Sequence, residues 1–185
     1  MCIRDSISRL SEIDIGGIDL DLPEFLFRGD ERPLSPIGSE PGRLKSHVDP
    51  QNGDLVPANP DGASQIHHHV RGGEPVKSDS PFTSMTDNGV VADGYGSHTV
   101  RVNRSRLEAD IAAGRIEGVE IVTPQQIRDA LQARVDEAQI RFDNNSSSNN
   151  GRRLERAKMD LDNAAGDGEY LIRGIVPSEY VEVIN

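Results

Sequence analysis

Three short apolar segments limit what this chain can fold into, because each carries a polar side chain on or beside a run that reads as a β-strand. They are Phe27-Arg28-Gly29-Asp30, Phe82-Thr83-Ser84-Met85-Thr86 and Asp167-Gly168-Glu169-Tyr170-Leu171-Ile172. Burying part of a guanidinium, a hydroxyl or a carboxylate is costly unless the groups find partners. Neighbouring strands of one sheet would let the three satisfy each other, and would open a polar cleft in an otherwise apolar sheet. Period-2 geometry puts Phe82, Ser84 and Thr86 on one face of their strand, with Thr83 and Met85 on the other.

The rest of the pattern predicts an α+β chain. Hydrophobic residues make up 35% of 185, with 18 Gly and 11 Pro, which suits a loop-rich α+β domain better than a helical bundle. Phe25–Arg28, Thr99–Val102, Val119–Val122, Glu169–Arg173 and Val181–Ile184 read as further strands or parts of them. Glu169–Arg173 is apolar on both faces after its first residue, as a central strand would be. Ser105-Arg106-Leu107-Glu108 and Thr123-Pro124-Gln125-Gln126 match helix-capping boxes, the second with Pro at the first helical position. Gly114 stops the first helix. Ile127, Leu131, Val135, Ala138 and Phe142 give the second an apolar stripe. A third helix is expected over Leu154–Ala165. Residues 29–80 read as loops with one short helix at most; Gly89, Gly94 and Gly96 mark another loop, and the Asn/Ser tract Asp143–Gly151 a flexible one.

Charge and cysteine content narrow the partners. The net charge is −11, which argues against nucleic-acid binding through a general basic surface and makes each arginine beside a phosphate site matter more. The single cysteine, Cys2, rules out an intramolecular disulfide. No run of about 18 apolar residues is present, so a soluble chain is expected, one that a cell could secrete or deliver. Met1-Cys2-Ile3-Arg4-Asp5-Ser6 resembles translated sequencing-adapter read-through. Residues 1–22 are therefore set apart as a lead-in, weakly helical or extended over 7–22, and 23–185 as the domain, expected to be the C-terminal piece of a longer protein.

In their order, the three polar-bearing segments resemble the ADP-ribosyltransferase toxin superfamily, in the branch with an Arg, a Ser-x-Ser/Thr strand and a final x-x-Glu. Arg28 in Leu26-Phe27-Arg28-Gly29-Asp30 matches the first element, with Arg32-Pro33 close behind. Ser84-Met85-Thr86 matches the second, and Asp167-Gly168-Glu169 with Gly174-Ile175-Val176-Pro177 after it matches the third. The stretch from Leu107 to Ile127 is similar to polymorphic-toxin domains of the same superfamily. The resemblance spans residues 23–185. It implies a split, mostly antiparallel sheet with flanking helices and an NAD cleft between its halves. It further implies mono-ADP-ribosyl transfer from NAD, as the toxin module of a bacterial effector with a protein acceptor and a cognate immunity protein. Two alternatives stay open: an NAD glycohydrolase using the same site, and a non-catalytic binding module.

The resemblance also assigns roles. Glu169 would stabilise the oxocarbenium ion formed when nicotinamide leaves. Ser84 would orient that carboxylate and touch the ribose, with Thr86 beside it, and Arg28 would hold a phosphate or the nearby ribose. The Gly29 backbone would meet the nicotinamide amide. Asp167 stands where the family has Glu or Gln and would position the incoming nucleophile; Met85 stands in place of a central Thr. His67-His68-His69 reads as a loop without a metal, since adjacent residues of an extended segment point alternately and no Cys or well-spaced carboxylate accompanies them. The resemblance gives His69, or else His68, a place near the NAD site. No Ser-His-Asp or Cys-His arrangement can be argued from the spacing.

Overall fold

The structure is a computed structural model that describes residues 22–40, 42–72, 78–164 and 168–184. Residues 1–21 of the expected 1–22 lead-in lie outside them. Along the chain run β1 (Phe25–Asp30), β2 (His47–Val48), β3 (Leu55–Val56), α1 (Ile66–Arg71), β4 (Phe82–Thr86), α2 (Gly89–Asp93), β5 (His98–Asn103), α3 (Arg104–Ala112), β6 (Glu120–Val122), α4 (Pro124–Asn144), α5 (Ser148–Ala164), β7 (Glu169–Arg173) and β8 (Val181–Ile184), the last preceded by a 3₁₀ turn at Ser178–Tyr180. The fold is mixed α+β. Its main sheet has the order β6-β7-β4-β1-β5-β8, and β2-β3 form a separate small ribbon. Each strand pairing among the described residues is antiparallel.

Alternation along the strands divides the core in two. Tyr170 and Ile172 join Leu26, Met85, Val100, Val102 and Leu107 on one face of the sheet. Leu171, between them in sequence, joins Phe82 and Val122 under Ile127 and Leu131 of α4 and Ala164 of α5 on the other. β7 is thus a central strand clothed on both sides, as its apolar run requires. On the first face the 3₁₀ turn is tied to α3 by a hydrogen bond from the Tyr180 hydroxyl to the Asp110 carboxylate.

The capping box of α4 forms as read: Gln126 N donates to Thr123 Oγ1 (3.3 Å) and Thr123 N to Gln126 Oε1 (2.8 Å). The cap of α3 lies elsewhere. Asn103 caps it, accepting from Arg106 N at 3.0 Å, and Glu108 instead pairs with Arg104 one turn back. The Asn/Ser tract is not a long loop. α4 and α5 take up most of it as a helical hairpin, because the Asn150 side chain donates to Asn145 O (2.8 Å) and Arg141 O (3.3 Å) and so satisfies carbonyls at the α4 end. Gly89 likewise opens a helix, α2, whose cap is Asn88 Oδ1, accepting from Val90 N at 3.0 Å.

The three histidines also sit on a helix, α1, and not on an extended loop. Ile66 and Val70 pack into the α4/α5 side of the core. Arg71 then binds Asp160 of α5 with both Nε (3.0 Å) and Nη2; Asp160 is only 4% exposed. A two-pronged bond to a buried carboxylate fixes the orientation of α1 on α5.

His67 is 5% exposed, and its pKa falls from the ordinary 6.5 to about 4, first by burial and then through the charge of Arg134, His68 and Arg71, which Asp160 only partly opposes. The unfolded chain therefore binds a proton at this residue between pH 6.5 and 4 that the folded chain refuses, and His67 costs stability as pH falls through that window. The stability difference between wild type and His67→Gln, followed by urea unfolding from pH 7 to pH 4, is expected to shift in the variant's favour on acidification. An unchanged difference would contradict the burial assigned to His67.

Candidate functional site

Three adjacent strands, β7, β4 and β1, carry the polar residues that the sequence singled out. Glu169 lies directly opposite Thr86, and Ser84 opposite Leu171. Ser84 and Glu169 are therefore diagonal neighbours on one face, a relation in which residues of an antiparallel pair stand about 7–8 Å apart.

The β1–β4 junction is unlike the others. β1 pairs with β5 along its whole length, from Phe25↔Asn103 to Asp30↔His98, but meets β4 only at Phe27↔Thr86. Beyond that point the ladder opens, and Arg28 spans the gap: its Nη1 donates to the main-chain oxygen of Ser84 at 3.2 Å. Its Nη2 lies 4.0 Å from Asp30 Oδ2, while Nε is buried with no hydrogen-bond partner among the described residues. The Arg28 side chain is 22% exposed. Burial pulls its pKa below the usual arginine value, and the carboxylates of Asp30 and Glu169 pull it back up.

Asp30, buried at the end of β1, organises the neighbouring loop. It accepts from Arg32 N (2.8 Å) and from Lys45 Nζ, and Lys45 also donates to Arg32 O (2.8 Å). Arg32 Nη2 in turn donates to Gly38 O at 3.0 Å. This folds the segment between β1 and β2 back over the opening.

The result is a cavity of about 620 Å³, lined by Arg28, Gly29, Ser84, Thr86 and Glu169 among others. That volume lies within the range of about 300–1,000 Å³ typical of ligand pockets. Arg28, Arg32, Arg43 and Lys45 also face it, against the carboxylates of Asp30, Glu31 and Glu169. The four cations stand close together in a chain of net charge −11, with Lys45 paired to Asp30 and Arg43 to Glu40 (3.5 Å). Gathered there, they lessen the repulsion that the acidic chain exerts on an anionic group.

His69 reaches the same place from α1. Its Nε2 lies 2.8 Å from Ser84 Oγ and its Nδ1 2.6 Å from Ser80 Oγ, with its ring edge-on to Phe82. Spacing alone gave no Ser–His pairing, yet the fold makes one across 15 residues. Thr86 serves the turn as well, its hydroxyl accepting from Asn88 N at 3.2 Å. Asp167 lies outside the described residues. Sequence reasoning missed Arg43, Lys45, Tyr95 and Asn163 as wall residues. The available signal was Asp30, an acid at the buried end of a strand that needed a cation from somewhere in the loop. Among the described residues no group of three or more His, Cys, Asp or Glu is arranged to hold a metal ion, and no helix is long and apolar enough to cross a membrane.

Compared with known proteins, the chain matches no protein-family model, no curated protein and no solved structure.

Gly29 forms part of the cavity wall for a packing reason. A Cβ there would lie 1.8 Å from Ala92 O, so only glycine lets α2 lie against β1. Gly29→Ala is expected to push α2 outward and to destabilise the chain by about 1–3 kcal/mol, measured by urea unfolding. A loss below about 0.5 kcal/mol would mean that α2 is not seated on β1 in this way.

Proposed function

We propose that this chain is an ADP-ribosyltransferase-like domain that takes NAD into the cavity and cleaves its nicotinamide–ribose bond, passing mono-ADP-ribose to a protein acceptor. What carries the reading is one observation: Arg28, Ser84 and Glu169, which lie far apart in sequence, line a single cavity at the point where the sheet opens. A mixed α+β fold with an antiparallel main sheet and flanking helices supports the reading in its coarse features.

The chemistry suits these groups. The nicotinamide of NAD is already cationic, so the bond from its nitrogen to the ribose C1′ breaks with the electron pair going to nitrogen, and neutral nicotinamide leaves without a general acid. The positive charge then resides on the ribosyl oxocarbenium ion. The Glu169 carboxylate stabilises it electrostatically and holds a ribose hydroxyl. Ser84 steadies Glu169 and the sugar. The Arg28 fork takes a phosphate or the adjacent ribose, and Arg32, Arg43 and Lys45 offset the repulsion that the acidic chain exerts on the diphosphate. The acceptor's lone pair forms the new bond to C1′, and its proton passes to a carboxylate or water. Asp167 is the carboxylate that the sequence offers for this. In an effector, such a module would act as a toxin and be held in check by an immunity protein.

Glu169→Gln keeps the size of the side chain and removes its charge. It is expected to lower nicotinamide release from NAD about 10²-fold or more, with circular dichroism unchanged. Release by wild type only when a lysate supplies acceptors marks transfer; release without them marks a water acceptor and glycohydrolysis. Near-normal turnover by Glu169→Gln would contradict the role given to this carboxylate.

A further inference from the structure

His69 stands between two serine hydroxyls, and the direction of the protons along that line follows from its partners. Ser80 is 1% exposed, and its Oγ already accepts the Phe82 amide proton at 3.2 Å. Its own hydroxyl proton needs an acceptor in a place with almost no access to water. His69 Nδ1, at 2.6 Å, is in position to be that acceptor. A neutral imidazole has one donor and one acceptor nitrogen, so a bare Nδ1 makes Nε2 the N–H. Nε2 then donates to Ser84 Oγ at 2.8 Å, which turns the Ser84 proton away from the histidine. On the side that remains are the cavity and Glu169, the diagonal neighbour of Ser84 on the same face.

We infer that His69 is a positioning residue: through the ordered chain Ser80–His69–Ser84 it makes the Ser84 hydroxyl a donor into the cavity, toward the Glu169 carboxylate or a hydroxyl of the bound sugar. The sugar half of this inference rests on the function proposed above; the proton order does not. The device depends on where α1 is held. The Arg71–Asp160 pair anchors the helix two residues beyond His69, and Phe82 packs against the ring from β4. The same order separates this site from a nucleophilic serine. A histidine that activates Ser84 would need Nε2 bare, whereas a protonated Nε2 holds the hydroxyl as a donor and cannot take its proton.

The tautomer is read directly from long-range proton–nitrogen correlation spectra of the intact wild-type chain at neutral pH, with His69 assigned from the signals lost in His69→Gln. The expected spectrum has a bare Nδ1 and a protonated Nε2. A protonated Nδ1, in either the neutral or the cationic ring, would overturn the inference, as would covalent labelling of Ser84 by a fluorophosphonate. Both readouts are independent of NAD turnover, so a wild type that released no nicotinamide would sink the proposed function while the spectrum still decided the role of His69. Where nicotinamide is released, His69→Ala is expected to lower kcat about tenfold, roughly the worth of one hydrogen bond, with little change in KM. His69→Gln, which can restore a donor near the Nε2 position, should recover most of the loss. In a Ser84→Ala background the His69→Ala substitution should cost little more, and a full additive loss there would show that His69 does not act through Ser84.

Discussion

The Arg28 guanidinium leaves β1 just past the single residue pair that joins β1 to β4, and its bond to the Ser84 carbonyl spans the place where the ladder opens. A sheet that loses pairing in its middle leaves backbone groups without partners, and a buried arginine is one way to satisfy them while keeping the gap open. The arrangement has an electrostatic cost. Burial works against the charge on Arg28, and Asp30 on its own strand and Glu169 two strands away offset only part of it. Asp30 also binds Lys45 and the Arg32 amide, so the group that supports Arg28 folds the covering loop as well. The cavity, its basic wall and the carboxylate facing it all depend on this one bridged opening.

The helical layer supplies the second requirement, a fixed approach to Ser84. The α4/α5 hairpin packs on the outer half of the sheet, and Asp160 in α5 holds α1 by Arg71. α1 has only six residues and could not hold its place by itself. Its position is set by that ion pair and by Ile66 and Val70 in the core, and this is what brings a histidine to a serine on another element. Local charge is handled in the same manner. The chain is strongly acidic, yet four cations gather at the cavity because the loop after β1 is folded around Asp30.

Much of this was legible in the sequence. The strands at Phe25, Phe82, Thr99, Glu120, Glu169 and Val181 follow from apolar runs whose alternation or continuity matches how each is buried. The box at Thr123 could be read because its Pro and Gln are unambiguous start signals. The convergence of Arg28, Ser84, Thr86 and Glu169 on one cavity was legible from polar residues on apolar strands, but not their partners: Arg28 binds a main-chain oxygen, Ser84 meets His69 and Thr86 accepts from the Asn88 amide. What escaped depended on contacts between distant residues. Asn103 outcompeted Ser105 as a cap because the helix begins right at the end of β5. The Asn/Ser tract looked disordered by composition, but Asn150 closes the turn with side-chain hydrogen bonds that composition does not reveal. The histidines were read as extended, and helical spacing then carried His69 to the sheet. No local signal announced the Lys45–Asp30 pair.

Titrating a non-cleavable NAD analogue into the ¹⁵N-labelled chain and mapping amide shifts decides whether NAD occupies the opening bridged by Arg28. Saturable shifts are expected, concentrated at Gly29, Ser84, Thr86 and Glu169 and weakened by added salt as binding through Arg32, Arg43 and Lys45 requires. Saturable shifts on a different face of the molecule, or no shifts at millimolar analogue, would contradict it.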